Sequence, residues 1–252
     1  MEKKGDPMIV YSSVQLILVT AAVIPAVALM LYVYKADKLE KEPTTLLWRL
    51  ILQGIISTAL AVFTERLGAQ VLGSIFRKNS LLYQIVFYFL VVGLSEEGFK
   101  YLLLKRRTWD SPYFNCRFDG VVYAVFVSMG FVLWENIDYV VMYGLETAMI
   151  RALTAVPGHA CFGVFMGTWY GLAKRREGAG DPEGAAVFRR RALVVPLLLH
   201  GFYDFCATYQ DSVMGLVFLA FVISMFITAN RLVKRMSAND SYIDRNGFDS
   251  RS

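Results

Sequence analysis

Seven apolar runs fill most of this 252-residue chain, at residues 8–34, 44–64, 80–104, 118–143, 149–173, 192–209 and 211–232. A helix needs about 20 residues to cross a bilayer, and six of the runs are long enough. The sixth, the shortest, starts just after Arg189, Arg190 and Arg191, whose aliphatic stems can snorkel toward the headgroups. Lipid offers no partner to an open backbone polar group, so such runs must be helical. They predict an all-α, polytopic membrane protein with about seven transmembrane helices in one bundle. The 27 residues of the first run far exceed the hydrophobic stretch of a signal peptide, about 7–15 residues, and it is read as a retained span.

Composition agrees. The chain is 56% hydrophobic and 19% charged, against about 45–50% and 25% in soluble domains, which excludes a disordered chain and argues against a soluble enzyme. Cys116, Cys161 and Cys206 lack metal-finger spacing and are too few for a disulfide scaffold. The net charge of +5 reads as a membrane signature rather than a nucleic-acid one, because the basic residues cluster beside apolar runs. Residues 1–236 form a single membrane domain, and the polar stretch 237–252 is expected to be a disordered tail. The link KADKLEKEP, 35–43, reads as a charged, solvated turn, and 177–186 as a flexible connection.

Basic residues set the orientation. One side holds six: Lys3, Lys4, Arg66, Arg77, Lys78 and Arg151. The other holds sixteen, in the clusters Lys35–Lys41, Lys105–Arg107 with Arg117, Lys174–Arg176, Arg189–Arg191 and Arg231–Arg235. The richer side is expected to be cytoplasmic, with the N-terminus outside and the C-terminus inside.

Ionisable groups interrupt the apolar runs at Glu96, Glu97, Lys100, Glu135, Asp138, His159, His200 and Asp204. A charge at the centre of a lone transmembrane helix costs roughly 2.5–3.5 kcal/mol, so such residues mark function by default. Lys100 lies four residues after Glu96 and three after Glu97, so all three can meet on one helix face. His200 and Asp204 are also four apart, and the carboxylate can orient the imidazole. Pro157 and Gly158 precede His159, and Pro196 lies one turn before His200. These are places where a helix can bend and open its backbone. Gly163 and Gly201 permit close helix approach. The structural alternatives are a buried ion pair for Lys100, a solvated helix end for Asp138 and a helix cap for Asp119. Two histidines and three glutamates spread over four spans are harder to explain as structure alone.

Carboxylates and imidazoles converging in a low-dielectric cavity can activate water. Peptide hydrolysis needs that water, a base, and a stabiliser for the oxyanion. The motifs are ordered: Glu96-Glu97-Gly98-Phe99-Lys100 as E-E-x-x-K, Phe131–Glu135 as F-x-x-x-E, His159–Gly163 as H-x-x-x-G, and His200–Asp204 as H-x-x-x-D. This set resembles the PrsW family of intramembrane proteases, related to the type II CAAX-prenyl endopeptidases and bacteriocin-immunity-type proteins. YKADKLEKEP, FDGVVYAVFVSMGF, ENIDY and VVPLLLHGFYDF are similar too, so the likeness runs from about residue 25 to 232. Glu135 stands where the prenyl endopeptidases carry a histidine, which favours the PrsW branch.

The resemblance implies a bacterial plasma-membrane protease. Its expected substrate is a single-pass anti-sigma factor, cut as the first step of regulated proteolysis. The expected catalytic set is Glu96, Glu97, Glu135, His159, His200 and Asp204, with Lys100 supporting and Glu96 the preferred base. In a metal version, His159, His200 and Glu135 hold Zn²⁺; in a glutamate version the histidines stabilise the oxyanion directly. Spacing does not choose between them, because no H-E-x-x-H helix is present. By run boundaries, Glu96 and Glu135 lie toward opposite membrane faces, so their meeting requires the third run to shift or tilt. Two other classes fit buried acids and histidines. A proton- or ion-coupled transporter or channel would give flux without a peptide product, and a non-catalytic scaffold would tolerate conservative loss of the glutamates.

Overall fold

A computed structural model describes residues 7–78, 80–209 and 211–243. The helices are α1 (Pro7–Ala36), α2 (Thr44–Ile75), α3 (Leu81–Val86), α4 (Leu94–Thr108), α5 (Asp119–Tyr143), α6 (Leu145–Leu153), α7 (Ala155–Gly178), α8 (Pro182–Thr208) and α9 (Ser212–Ala238). A π-helical segment, Phe87–Gly93, joins α3 to α4. Among the described residues the only β pairing is an isolated bridge between Cys116 and Tyr242.

All seven apolar runs are helical. Among the described residues, five stretches are long and apolar enough to cross a membrane: Thr44–Ile75, Leu81–Thr108, Asp119–Tyr143, Leu145–Gly178 and Ser212–Ala238. α1 adds a 30-residue helix, Pro7–Ala36. α8 spans 27 residues, but Arg189, Arg190 and Arg191 charge its first half. The protein is therefore an all-α, polytopic membrane protein.

α5 is the centre of the bundle, packed by α1, α2 and α7. Its apolar window is 78% buried, against 17% for the peripheral α9. That difference follows from sequence: DGVVYAVFVSMGFV is apolar on every face, as a helix surrounded by protein must be. Two glycines set the approach of the helices that carry the histidines. A Cβ on Gly163 of α7 would stand 2.9 Å from Ser128 Oγ on α5, and one on Gly201 of α8 would stand 2.7 Å from the Phe89 ring. Both close approaches were expected from sequence.

Local boundaries differ from the sequence reading in instructive ways. α2 continues to Ile75, well past residue 64, carrying Glu65 and the exposed Arg66 to the cavity wall on a helix instead of in a loop. The helical break falls at Thr154 (φ −122°, ψ −71°), so Pro157 occupies the first turn of α7. There its missing N–H costs nothing, and it does not bend the helix. α7 and α8 extend beyond their apolar runs until only residues 179–181 separate them. Asp181 caps α8 by accepting from Gly184 N at 2.8 Å. The polar tail begins as structure: α9 reaches Ala238, and Ile243 N donates to Asn115 O at 2.6 Å. Residues 244–252 of that expected tail lie outside the described residues. The 35–43 link is not a solvated turn throughout, because Asp37 and Glu42 are each only 2% exposed.

Candidate active site

A cavity of about 730 Å³ opens among the helices, and side chains from six of them reach it. They include Glu65 from α2, Glu96 from α4, Glu135 from α5, Arg151 from α6, His159 from α7, and His200 with Asp204 from α8. Glu97 and Lys100 lie behind this wall, both fully buried.

The E-E-x-x-K spacing does what helical periodicity requires. Lys100 Nζ lies 2.8 Å from Glu97 Oε1 and 3.3 Å from Glu96 Oε2. The same ammonium donates to His159 Nδ1 at 3.0 Å. That leaves His159 Nε2 to donate to Glu135 Oε2, 3.2 Å away. Lys100 also stands 3.9 Å from the Phe131 ring centroid, so the first residue of F-x-x-x-E forms a cation–π contact.

His200 is gripped from two sides. Its Nδ1 pairs with Glu97 Oε1 at 3.0 Å, while Nε2 faces Asp204 Oδ2 at 3.4 Å and Glu96 Oε2 at 3.8 Å. Asp204 therefore meets the imidazole as expected, but Glu97 makes the shorter contact. The two imidazoles are 5.1 Å apart, centroid to centroid, and Phe162 stacks on His200 at 4.7 Å.

Every expected site residue thus falls in one connected cluster. Glu96 and Glu135 meet because the helix through the third run extends to Thr108, putting Glu96 near its middle. The π segment immediately before α4 also changes the rotation of Glu96 and Glu97 relative to α3; such segments are frequent at functional sites. Asp138 is exposed at the cavity wall. Asp119 opens α5 but caps the preceding turn, accepting from Asn115 N at 3.0 Å and Cys116 N at 2.7 Å.

Sequence reasoning missed Arg151 and Glu65. Arg151 pairs with Glu135 at 2.8 Å, donates to Asn136 Oδ1 at 2.8 Å and lies 4.1 Å from the Tyr139 ring centroid. The sequence reading counts it only among the basic residues that set the orientation. Glu65 follows Thr58 and Val62 on the cavity face of α2, a helical periodicity that was legible once the helix was extended.

The cluster also offers donors to a metal. Among the described residues, one group places ligand atoms within 4.8 Å of one another: Glu96, Glu97, His159 and His200. Two imidazoles with a carboxylate is a donor set suited to catalytic zinc, and Glu97 Oε2 is buried without a hydrogen-bond partner. The residues fit. Glu135, expected as a ligand, stands outside this group and is held by Arg151.

Buried carboxylates and imidazoles lining a cavity within a membrane bundle form a candidate intramembrane active site. Residues 42–229 match the model of the PrsW family intramembrane metalloproteases, and the chain belongs to that family. Protease PrsW of Oceanobacillus iheyensis is 31% identical over 222 residues, covering 88% of this chain and 97% of the relative. Protease PrsW of Geobacillus kaustophilus is 33% identical over 223 residues, covering 86% and 91%. Protease PrsW of Bacillus subtilis is 32% identical over 197 residues, covering 76% and 83%. No solved structure matches. The protein is a peptidase of the membrane, acting on membrane proteins within lipid.

Proposed function

We propose that this chain hydrolyses a peptide bond in a single-pass anti-sigma factor, as the first cleavage of regulated proteolysis. It does so in a bacterial plasma membrane, with its N-terminus outside and its C-terminus in the cytoplasm. The observation that carries the chemistry is the meeting of Glu96, Glu135, His159, His200 and Asp204 in one cavity. The basic clusters support the orientation, and the bacterial PrsW relatives support the setting.

Glu96 is the base. It lines the cavity, whereas Glu97 lies behind it. Glu96 takes a proton from water as the water oxygen adds to the scissile carbonyl carbon. It returns that proton to the amide nitrogen as the C–N bond breaks. Glu97 holds His200 and Lys100 in place, Asp204 steadies the second nitrogen of His200, and Arg151 holds Glu135 against His159. His159, His200 and Glu97 are the residues that would hold Zn²⁺, and the metal would supply an acidified water and positive charge for the oxyanion.

One observation favours a second, metal-free reading. The Lys100 ammonium already sits between Glu96, Glu97 and His159 Nδ1, where it supplies positive charge without a metal. In that reading His200 donates to the oxyanion. The test is cleavage of a tagged anti-sigma factor from the same genome by wild type and Glu96→Gln in detergent, with and without chelator. A cut by wild type alone supports the proposal. Equal cutting by Glu96→Gln overturns the role of Glu96. Loss with chelator and recovery with Zn²⁺ selects the metal reading.

A further inference from the structure

Where the ends of α1, α5 and α9 come together, away from the cavity, a second group of acids is buried. Asp37 and Glu42 are each 2% exposed and Asp119 is fully buried. Both carboxylate oxygens of Asp37, both of Glu42 and Oδ1 of Asp119 are shut away from solvent without a hydrogen-bond partner. Asn115 Oδ1 and Asp240 Oδ2 are in the same condition. Among the described residues, no salt bridge reaches any of these acids. The nearby Lys41 ammonium is spent on the backbone carbonyls of Tyr34 and Asp37.

The groups are knitted together. Asn115 Nδ2 donates to Glu40 Oε1 at 2.7 Å, and Asn115 N donates to Asp119 Oδ2 at 3.0 Å. Glu42 adjoins Asp119 and the Tyr123 hydroxyl. Asp240 Oδ1 accepts from Phe118 N at 2.9 Å. Unpaired buried carboxylates are among the costliest groups a fold can hold, so something must compensate them. The free atoms here are all oxygens, which suits a hard cation rather than zinc.

We propose that Asp37, Glu42, Asp119 and Asn115 form a binding site for a hydrated divalent cation of the Mg²⁺ or Ca²⁺ class. The site fastens the 35–43 link and the start of α5 together. Three acid ligand atoms do not come within 4.8 Å of one another here, so the proposed cation takes at most two carboxylates directly. Mg²⁺ in particular keeps several waters and takes one or two carboxylates directly.

The test uses the full chain in detergent, stripped with chelator and followed by thermal unfolding. MgCl₂ and CaCl₂ are titrated into wild type, His200→Ala, Asp37→Asn and Glu42→Gln, with ZnCl₂ as a separate arm. Wild type and His200→Ala should gain a saturable rise, on the order of 5 °C at roughly a hundredfold excess over Kd. Asp37→Asn and Glu42→Gln should bind at least about tenfold more weakly. No saturable rise in wild type, or an equal rise in the two acid variants, overturns the site. Should the variants fail to fold, Tb³⁺ decides on the unaltered chain. Tyrosine-excited emission displaced by Ca²⁺ but not by Zn²⁺ supports the site, and its absence refutes it.

Discussion

Lys100 Nζ and His159 Nδ1, fifty-nine positions apart in sequence, are hydrogen-bonded at 3.0 Å, so the lysine occupies the lone pair of a nitrogen in the candidate metal cluster. An ammonium and a metal ion would compete for the same electrons. Lys100→Met should therefore leave two glutamates uncompensated in the metal-free protein and destabilise it by about 3 kcal/mol. Zn²⁺ should restore that stability and bind more tightly than to wild type, read by competition with a chromophoric chelator. Destabilisation without zinc rescue would remove metal binding from this cluster.

Glu96 and Glu97 are neighbours with different surroundings. Glu96 faces the cavity, while Glu97 has no exposure and touches Lys100 and His200. Glu96→Gln should lower cleavage by about 10²–10⁴-fold with the melting temperature nearly unchanged. Glu97→Gln should lower both, because it breaks a buried ion-pair network. Product yield on gels and thermal unfolding of the two variants separate these roles; identical behaviour would contradict them.

Arg151 ties α6 to α5 through Glu135 and Asn136. Arg151→Met should free Glu135 to turn away from His159 and cut cleavage by about 10-fold or more, through lost positioning. Glu135→Gln should have a similar effect, and the double variant should be little worse than either alone, as expected of residues acting as one unit. Additive losses in that cycle would show that Arg151 acts elsewhere.

Much of the site was legible because it is written in local spacing. Glu96, Glu97 and Lys100 share a helix face by periodicity alone, and apolar runs mark helices because the bilayer permits little else. What stayed hidden depends on partners from distant segments. Hydropathy ends α2 at residue 64 because Glu65 is charged, yet Glu65 faces the cavity rather than lipid, so the helix continues. Arg151 counted only toward orientation because nothing near it in sequence says that Glu135 waits across a helix junction. Asp37 and Glu42 sit in a link whose composition reads as solvated, and only the packing of α5 and the segment after α9 buries them.

That burial has a pH signature. Asp37 and Glu42 lie outside the spans. Burial lifts Asp37 from 3.8 to about 6 and Glu42 from 4.5 to about 7, with Asp240 and Glu40 pushing Asp37 the same way and Lys41 opposing. Asp37 and Glu40 also push Glu42 upward, while the adjacent Tyr123 hydroxyl and Asp119 pull it down. The folded protein thus holds these protons more tightly than the unfolded chain. Stability falls wherever the native state binds the extra protons, as pH rises from about 4 through 7. In chelator, the unfolding midpoint of wild type should drop across that window. Glu42→Gln removes the larger-pKa group, so the difference between the two curves should grow in the variant's favour up to about pH 7 and then level off. Saturating Mg²⁺ should flatten the wild-type fall, because the cation stabilises the charged carboxylates that burial penalises. Parallel curves for the two proteins in chelator would mean that Glu42 titrates in the folded protein as it does in water.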